Sequence, residues 1–379
     1  MLARALACRR RSLITFTGVN RRQGIRVLAL ESSADDTCAA VVEDEKVLSN
    51  IVIKQHAINA QYGGIYPYAA LEAHQKNMAP IRSALSESGT SLSELDGIAF
   101  TRGPGMGGCL GVCTNAGKAI AAALDKPIVG VHHMQAHALT ALFTSPKDSP
   151  VRFPFVTLLI SGGHTMLVLA TSFDSFEILA DTRDAAVGRA FDKVARSLEI
   201  EGGNTHLGAA LEHFCCAEEG ASSSKSELKF SRCMPGKLAF SYGGLHSQVD
   251  RYLEQHGGVQ NLDVAHRKVV ARAFQEAASE QLAEKLKLAL EQCSRRGIHV
   301  QNVVASGGVA SNSYIRRKLH DVVKQYEGVG LNFPPPALCT DNAVMIGWAS
   351  LHRFRAETFD DYRINPMSKW SIEDLSHGT

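Results

Sequence analysis

The sequence predicts an α/β fold built twice over, with two lobes facing one another across a cleft. Three observations carry this. Apolar runs of strand length, bounded by turn residues, alternate with longer segments of helical period. The order of these runs is the same in both halves of the chain. A turn of small residues follows a strand at comparable places, "ESSADDT" and "RGPGMGG" in the first half, "SGGHT" and "SGGVASN" in the second.

In the first half "RVLALESS", "CAAVVED" and "KVLSNIVIK" read as three strands. A helix is expected from about Ala69 to Glu87, with Pro80 inside it. "LDGIAFTRGPG" is a strand running into a glycine turn, "LGVCTNAGKAIAAAL" a helix, and "PIVGVHHMQAHALTALF" a short strand feeding another helix. The second half replays the order. "FPFVTLLISGG", "HTMLVLATS" and "SFEILADT" are strands, and residues His266 to Arg295 return Val270, Phe274, Ala277, Leu282 and Leu286 to one helical face. "HVQNVVASGG" is the next strand, "ASNSYIRRKLHDVV" a helix, and "DNAVMIGWASLHRF" a last helix. Strand meanders followed by strand–helix alternation imply mixed sheets covered on both faces. The expected division is 1–25 as a leader, 26–150 as the first lobe and 151–379 as the second, with the final helices packing back on the first. "EEGASSSKSELK" reads as a surface loop.

The chain has 379 residues, 45% hydrophobic and 21% charged, with 40 basic against 38 acidic residues. A net charge of +2 advertises no global attraction to nucleic acid but permits a local basic patch. No apolar run reaches the length of a membrane span, so no membrane partner is expected. The nine cysteines form no CxxC pair, which favours reduced thiols over a disulfide scaffold. Up to Leu30 there is no acidic residue, while Arg4, Arg9, Arg10, Arg11, Arg21, Arg22 and Arg26 recur. That composition is expected of a mitochondrial transit peptide, and the alternative is a disordered basic tail.

Small residues at strand ends let the backbone approach a ligand, and free N–H groups bind phosphate oxygens. Four such turns in a duplicated frame imply a nucleotide cleft, although none fits P-loop or GxGxxG spacing. Asp35 and Asp36 lie in the first turn, where a carboxylate can hold a metal or orient a water, or simply form the turn. "VHHMQAH" places His133 and His137 four apart, on one face of a helix. Neutral imidazoles so placed form a two-ligand metal platform, against the alternative of a polar helix face. His132 points elsewhere. The duplication offers a third ligand, because "CTDNAVMIGW" opens the equivalent helix with Asp341. Two histidines and a carboxylate with open positions could bridge to nucleotide phosphate. A zinc peptidase is disfavoured, because Met134 stands where HExxH has its general base.

Taken in order, "ALESSADDT", "GPGMGGCLGVCTNAGKAIA", "GVHHMQAH", "LLISGGHT", "GRAFDKVAR", "SGGVASN" and "CTDNAVMIGW" resemble the motif blocks of the TsaD family, the tRNA threonylcarbamoyladenosine synthases. With the leader, the chain is similar to the mitochondrial branch. The resemblance implies an actin/Hsp70/sugar-kinase fold. It implies transfer of a threonylcarbamoyl group from threonylcarbamoyl-AMP to N6 of the adenosine 3′ of the anticodon, in mitochondrial tRNAs reading codons that begin with A. The matching positions imply metal ligation by His133, His137 and Asp341, and nucleotide contacts at Ile160, Ser161, Gly162, Gly163, His164, Asp192 and Asn312. Gly208 takes the place of the second glycine of a family Pro-Gly-Gly turn, with residues inserted before it. Asp35 matches an acidic position close to the reacting group. The resemblance further implies one divalent cation per subunit, iron or zinc, a homodimer in the mitochondrial matrix, and a separate enzyme that makes the donor.

For tRNA contact the candidates are Lys193 and Arg196, or Arg316, Arg317 and Lys318, with solvated helix faces as the alternative. Two other functions stay open on the residues alone. One is a small-molecule kinase of the same fold, which the histidine pair disfavours because Mg²⁺ prefers oxygen ligands. The other is a non-catalytic nucleotide-gated scaffold.

Overall fold

The computed structural model describes residues 24–62, 64–203, 205–216 and 228–377. Residues 1–23 of the expected leader and most of the "EEGASSSKSELK" loop lie outside the described residues.

In the first lobe the strands are β1 (Arg26–Glu31), β2 (Thr37–Glu43), β3 (Lys46–Ile53), β4 (Gly97–Gly103) and β5 (Ile128–His132). The helices are α1 (His56–Gln61), α2 (Pro67–Lys76), α3 (Ala79–Glu87), α4 (Gly107–Leu124) and α5 (His133–Thr144). The second lobe runs β6 (Phe155–Ile160), β7 (Thr165–Ala170), β8 (Phe176–Asp181), α6 (Val187–Ser197), α7 (Leu207–Cys216), α8 (Gly243–Gln255) and α9 (Val264–Arg295). It continues with β9 (Asn302–Ser306), α10 (Ser313–Val323), β10 (Gly330–Asn332), α11 (Pro336–Cys339) and α12 (Ala343–Arg355).

Both sheets have five strands and one topology. The orders are β3-β2-β1-β4-β5 and β8-β7-β6-β9-β10. In each, two hairpin pairings are antiparallel and the later strands join in parallel. The duplication read from the sequence is therefore a duplication of strand order.

Strand alternation explains the layering. On β6, Val156, Leu158 and Ile160 face a core shared with α6 to α10, while Phe155 and Leu159 face a central core. On β1, Leu28 and Leu30 face an outer core with residues of α3 and α4, while Val27 and Ala29 face the centre. Helices α5 and α12 fill that centre, between the two sheets. With helices on both faces, each sheet buries nearly continuous apolar strands, as the sequence pattern required.

The final helix α12 packs on β1, β2, β4, β5 and α5, all of the first lobe. Chain order and spatial order thus part at the C-terminus. One expected helix is two: α2 and α3 separate at Asn77 and Met78, and Pro80 sits in the first turn of α3. A proline there loses no helical N–H bond, whereas mid-helix it would clash with the preceding turn.

Phe274 on α9 is fully buried, with its ring 5.1 Å from that of Phe191 on α6. Phe274→Ala is expected to cost about 3–5 kcal/mol of stability, read by chemical denaturation, because the removed ring leaves a cavity.

Candidate metal and nucleotide site

His132 ends β5 and caps α5. Its Nδ1 accepts hydrogen bonds from the N–H groups of Met134 and Gln135, and its Nε2 lies 3.1 Å from the Trp370 carbonyl oxygen. Both ring nitrogens are thereby used in structure, and burial pushes the imidazole down to about 3. The cap fixes the first turn of α5, so His133 and His137 project together from one face. Their rings meet edge to face at 4.7 Å.

Asp341 reaches this face from the other end of the chain. It does not open a helix as the sequence suggested. It stands one residue before the cap Asn342, whose side-chain oxygen accepts from Met345 N–H and whose amide donates to the Thr340 carbonyl. This buried asparagine sets the turn that presents Asp341. The carboxylate Oδ1 lies 3.1 Å from His137 Nε2 and 3.5 Å from His133 Nε2. One donor atom from each residue lies within 4.8 Å of the others.

The two histidine-to-carboxylate distances suit a shared metal ion. Ligands about 2.1 Å from a central ion stand about 3.0–3.4 Å apart in octahedral or tetrahedral arrangement. Two imidazole nitrogens and a carboxylate oxygen form a donor set suited to first-row transition ions. Without an ion the His133 contact is an ion pair and the His137 contact a hydrogen bond. Burial works against a charged His133, but Asp341 and Glu31 outweigh it and lift the imidazole to about 9. Burial likewise opposes charge on Asp341, and His133 and His137 nevertheless hold its carboxyl well below the usual range.

Glu31 is a site residue that the sequence reading missed. It ends β1, is 1% exposed, and its Oε2 lies 3.4 Å from His133 Nδ1. Thr101 donates to the same oxygen, and Ser33 N–H donates to Oε1 at 2.6 Å. A carboxylate behind a ligating histidine orients the ring and raises its basicity. The signal was present in the sequence: an acid at the end of the wholly apolar run "RVLALE".

The β6–β7 turn carries Ser161 to His164. Ser161 Oγ accepts from Gly163 and His164 N–H, which curls the turn, and Gly162 and Gly163 are exposed with open space where side chains would be. Two glycines pack the neighbouring backbone against it. A Cβ on Gly188 of α6 would lie 2.6 Å from the Ser161 oxygen, and one on Gly307 would collide with the Ile160 oxygen. Ile160 itself is fully buried as the last residue of β6. His164 is driven down to about 4 by burial and by the neighbouring His133 and His137, so it belongs to the same electrostatic neighbourhood as Asp341.

Asp192 on α6 accepts from Gly208 N–H at 2.9 Å. Asn312 caps α10, its oxygen accepting from Ile315 N–H. Asp35 is held by the Asn59 amide of α1 at 2.6 Å, and burial together with Asp341 raises its carboxyl. The structure therefore unites the histidine pair with Asp341, places His164 and Asp35 within their electrostatic reach, and sets Asp192 with Gly208 on a second-lobe wall.

Fold and site together define a two-lobed protein of the actin/Hsp70/sugar-kinase class with a His–His–Asp cluster. Solved structures support the fold. The chain superimposes on HypF from T. kodakarensis with a TM-score of 0.56 at 16% identity, covering 88% of this chain and 48% of that one. It superimposes on the Acidaminococcus fermentans (R)-2-hydroxyglutaryl-CoA dehydratase component A with a TM-score of 0.51 at 15% identity, covering 88% and 98%. Residues 46–348 match the TsaD family, tRNA N6-adenosine threonylcarbamoyltransferase, and the chain belongs to that family. A protein of that name from Syntrophus aciditrophicus is 38% identical over 350 residues, 92% of this chain and 98% of the relative. The chain is an enzyme of this transferase class.

Two tests follow from the site. Glu31→Gln is expected to weaken metal binding about 10–100-fold in chelator competition, the effect of losing a carboxylate behind a ligand, while His137→Ala removes a ligand outright. The second concerns Asp36, whose carboxyl is pushed up to about 8 by burial first, then by Asp35 and Asp341. Such a group stabilises the fold fully below its unfolded pKa of about 3.9, and that contribution is lost as pH rises through about 8. Asp36→Asn is therefore expected to flatten the fall in Tm between about pH 4 and pH 9, and parallel Tm profiles would contradict the assignment.

Proposed function

We propose that the chain transfers the threonylcarbamoyl group of threonylcarbamoyl-AMP to N6 of the adenosine 3′ of the anticodon, in mitochondrial tRNAs reading codons that begin with A. The observation that carries this reading is the convergence of His133, His137 and Asp341 beside the open Ser161–His164 turn, in a chain of the TsaD family.

The donor is a mixed anhydride of a carbamic acid and a phosphate. The acceptor amine is a weak nucleophile, since its lone pair is delocalised into the adenine ring. Positioning and charge stabilisation must then supply most of the rate. A divalent cation held by His133, His137 and Asp341, iron or zinc in this reading, would neutralise charge on the phosphate. In this reading the exposed Gly162 N–H would hold a phosphate oxygen, on a turn curled by the Gly163 and His164 N–H bonds to Ser161 Oγ. Glu31 holds the His133 ring in orientation. Asp192 and Gly208 offer a second-lobe wall for the nucleotide, and Asp35, steadied by Asn59, is placed to orient the acyl group or accept the proton that N6 loses.

The Arg-rich, acid-free leader supports import into the mitochondrial matrix. A homodimer is supported by an exposed aromatic ladder in which Tyr62 stacks on Tyr66 at 4.8 Å and Tyr68 is 75% exposed. Sedimentation is its check. In this reading the donor comes from a separate synthase that adenylates threonine carbamate.

The deciding experiment is mass spectrometry of nucleosides from mitochondrial tRNA after depletion of the protein. Threonylcarbamoyladenosine is expected to fall in mitochondrial tRNA and to persist in cytosolic tRNA. An unchanged mitochondrial pool would overturn the proposal.

A further inference from the structure

The surface of α6 carries three cations on one face. Arg189, Lys193 and Arg196 recur at helical spacing and are all exposed. They span eight residues, about 10 Å of helix. None of the three side chains forms an ion pair or a hydrogen bond among the described residues. The inward face of the same helix is anchored, through Val187, Ala190, Phe191 and Val194 in the core and through Gly188, which donates to the Ser161 oxygen of the nucleotide turn. The stripe is thus held at a fixed place relative to the site.

Its position on the cleft follows from a chain of contacts. Arg189 and Arg196 act electrostatically on Asp192, and Asp192 holds Gly208. Two residues before Gly208, His206 sets its ring 4.2 Å from that of His56 on α1 of the first lobe. Beside His56 stands the exposed Lys54, which also acts on Asp36. Unpaired cations therefore border the opening from both lobes.

The other basic cluster in the sequence is spent internally. Arg316 donates to the Ala310 carbonyl and lies over Phe333, Arg317 lies over Tyr314, and Lys318 lies 4.0 Å from Glu276 and from Glu280. On a chain with net charge +2, this makes the α6 stripe a local feature rather than general basicity.

We infer that Arg189, Lys193 and Arg196, with Lys54 on the facing rim, grip the phosphates of the tRNA anticodon loop and deliver its adenosine to the cleft. The inference rests on the tRNA-modifying reading above. Phosphate contacts fix register without reading sequence, and that suits an enzyme whose substrates differ in anticodon. Each contact to a single strand contributes about 0.7 to the slope of log affinity against log salt.

The test uses the full chain and a mitochondrial tRNA transcript, with binding followed by fluorescence anisotropy across a sodium chloride series. Replacing Arg189, Lys193 and Arg196 together by Gln is expected to lower the salt slope by about 2 and to leave AMP binding intact. Arg317→Gln with Lys318→Gln is expected to leave both unchanged. A wild-type slope in the triple variant overturns the inference, as does an equal loss in the α10 control or a loss of self-association in place of tRNA affinity. Should the triple variant fail to fold, each folded single variant is expected to lower the slope by about 0.7, and wild-type slopes in all three overturn it. A wild-type protein that forms no modified adenosine refutes the functional reading instead. One that forms it while the variants keep their slope refutes only this inference.

Discussion

Everything in this molecule turns on the approach of one carboxylate to two imidazoles separated from it by some two hundred residues of chain. Asp341 Oδ1 stands 3.1 Å from His137 Nε2 and 3.5 Å from His133 Nε2. Each partner is costly to bury alone, since an isolated charge away from water is strongly unfavourable. Together they offset one another, and an ion would replace their mutual pairing with ligation. The cluster therefore ties the C-terminal part of the chain to α5 and offers a candidate metal site.

The fold supplies that approach by crossing its own halves. Helix α12 belongs to the second lobe in sequence and to the first in packing, where it lies beside α5 against β1 and β2. Its cap residue Asn342 and the cap residue His132 of α5 set the two turns from which the ligands project. Cap chemistry thus does double service here. It satisfies the free N–H groups that every helix start exposes, and it aims the side chains next door.

The site is also graded electrically. His164 is pushed down by burial and by the histidines near it, whereas His133 is held charged by Asp341 and Glu31 in the ion-free state. Asp35 and Asp36 are raised by burial and by the acid at 341. Environments that push like groups apart are what acid–base and ligand roles require of a shared pocket. The Ser161–His164 turn contributes little charge of its own. Gly162 and Gly163 offer exposed backbone, and the packed glycines at 188 and 307 keep the neighbouring backbone close.

By itself the sequence determined the elements, their duplication, the helix face that joins His133 to His137 and the small-residue turns, because these are local properties of period and residue type. The duplication added Asp341 as an expected third ligand, and the family resemblance added Asp192 and Asn312 as expected nucleotide contacts. What only the tertiary structure decided is long-range. It broke one expected helix into α2 and α3 at Asn77 and Met78 and left Asp341 in a turn before its helix. It also brought Glu31 behind His133. It separated the two basic clusters, engaging Arg316, Arg317 and Lys318 with near neighbours while leaving the α6 side chains without an ion pair among the described residues. The reason is physical: hydrophobic period specifies which face is buried, but the partner of a buried charge depends on which distant strand ends the packed core brings together.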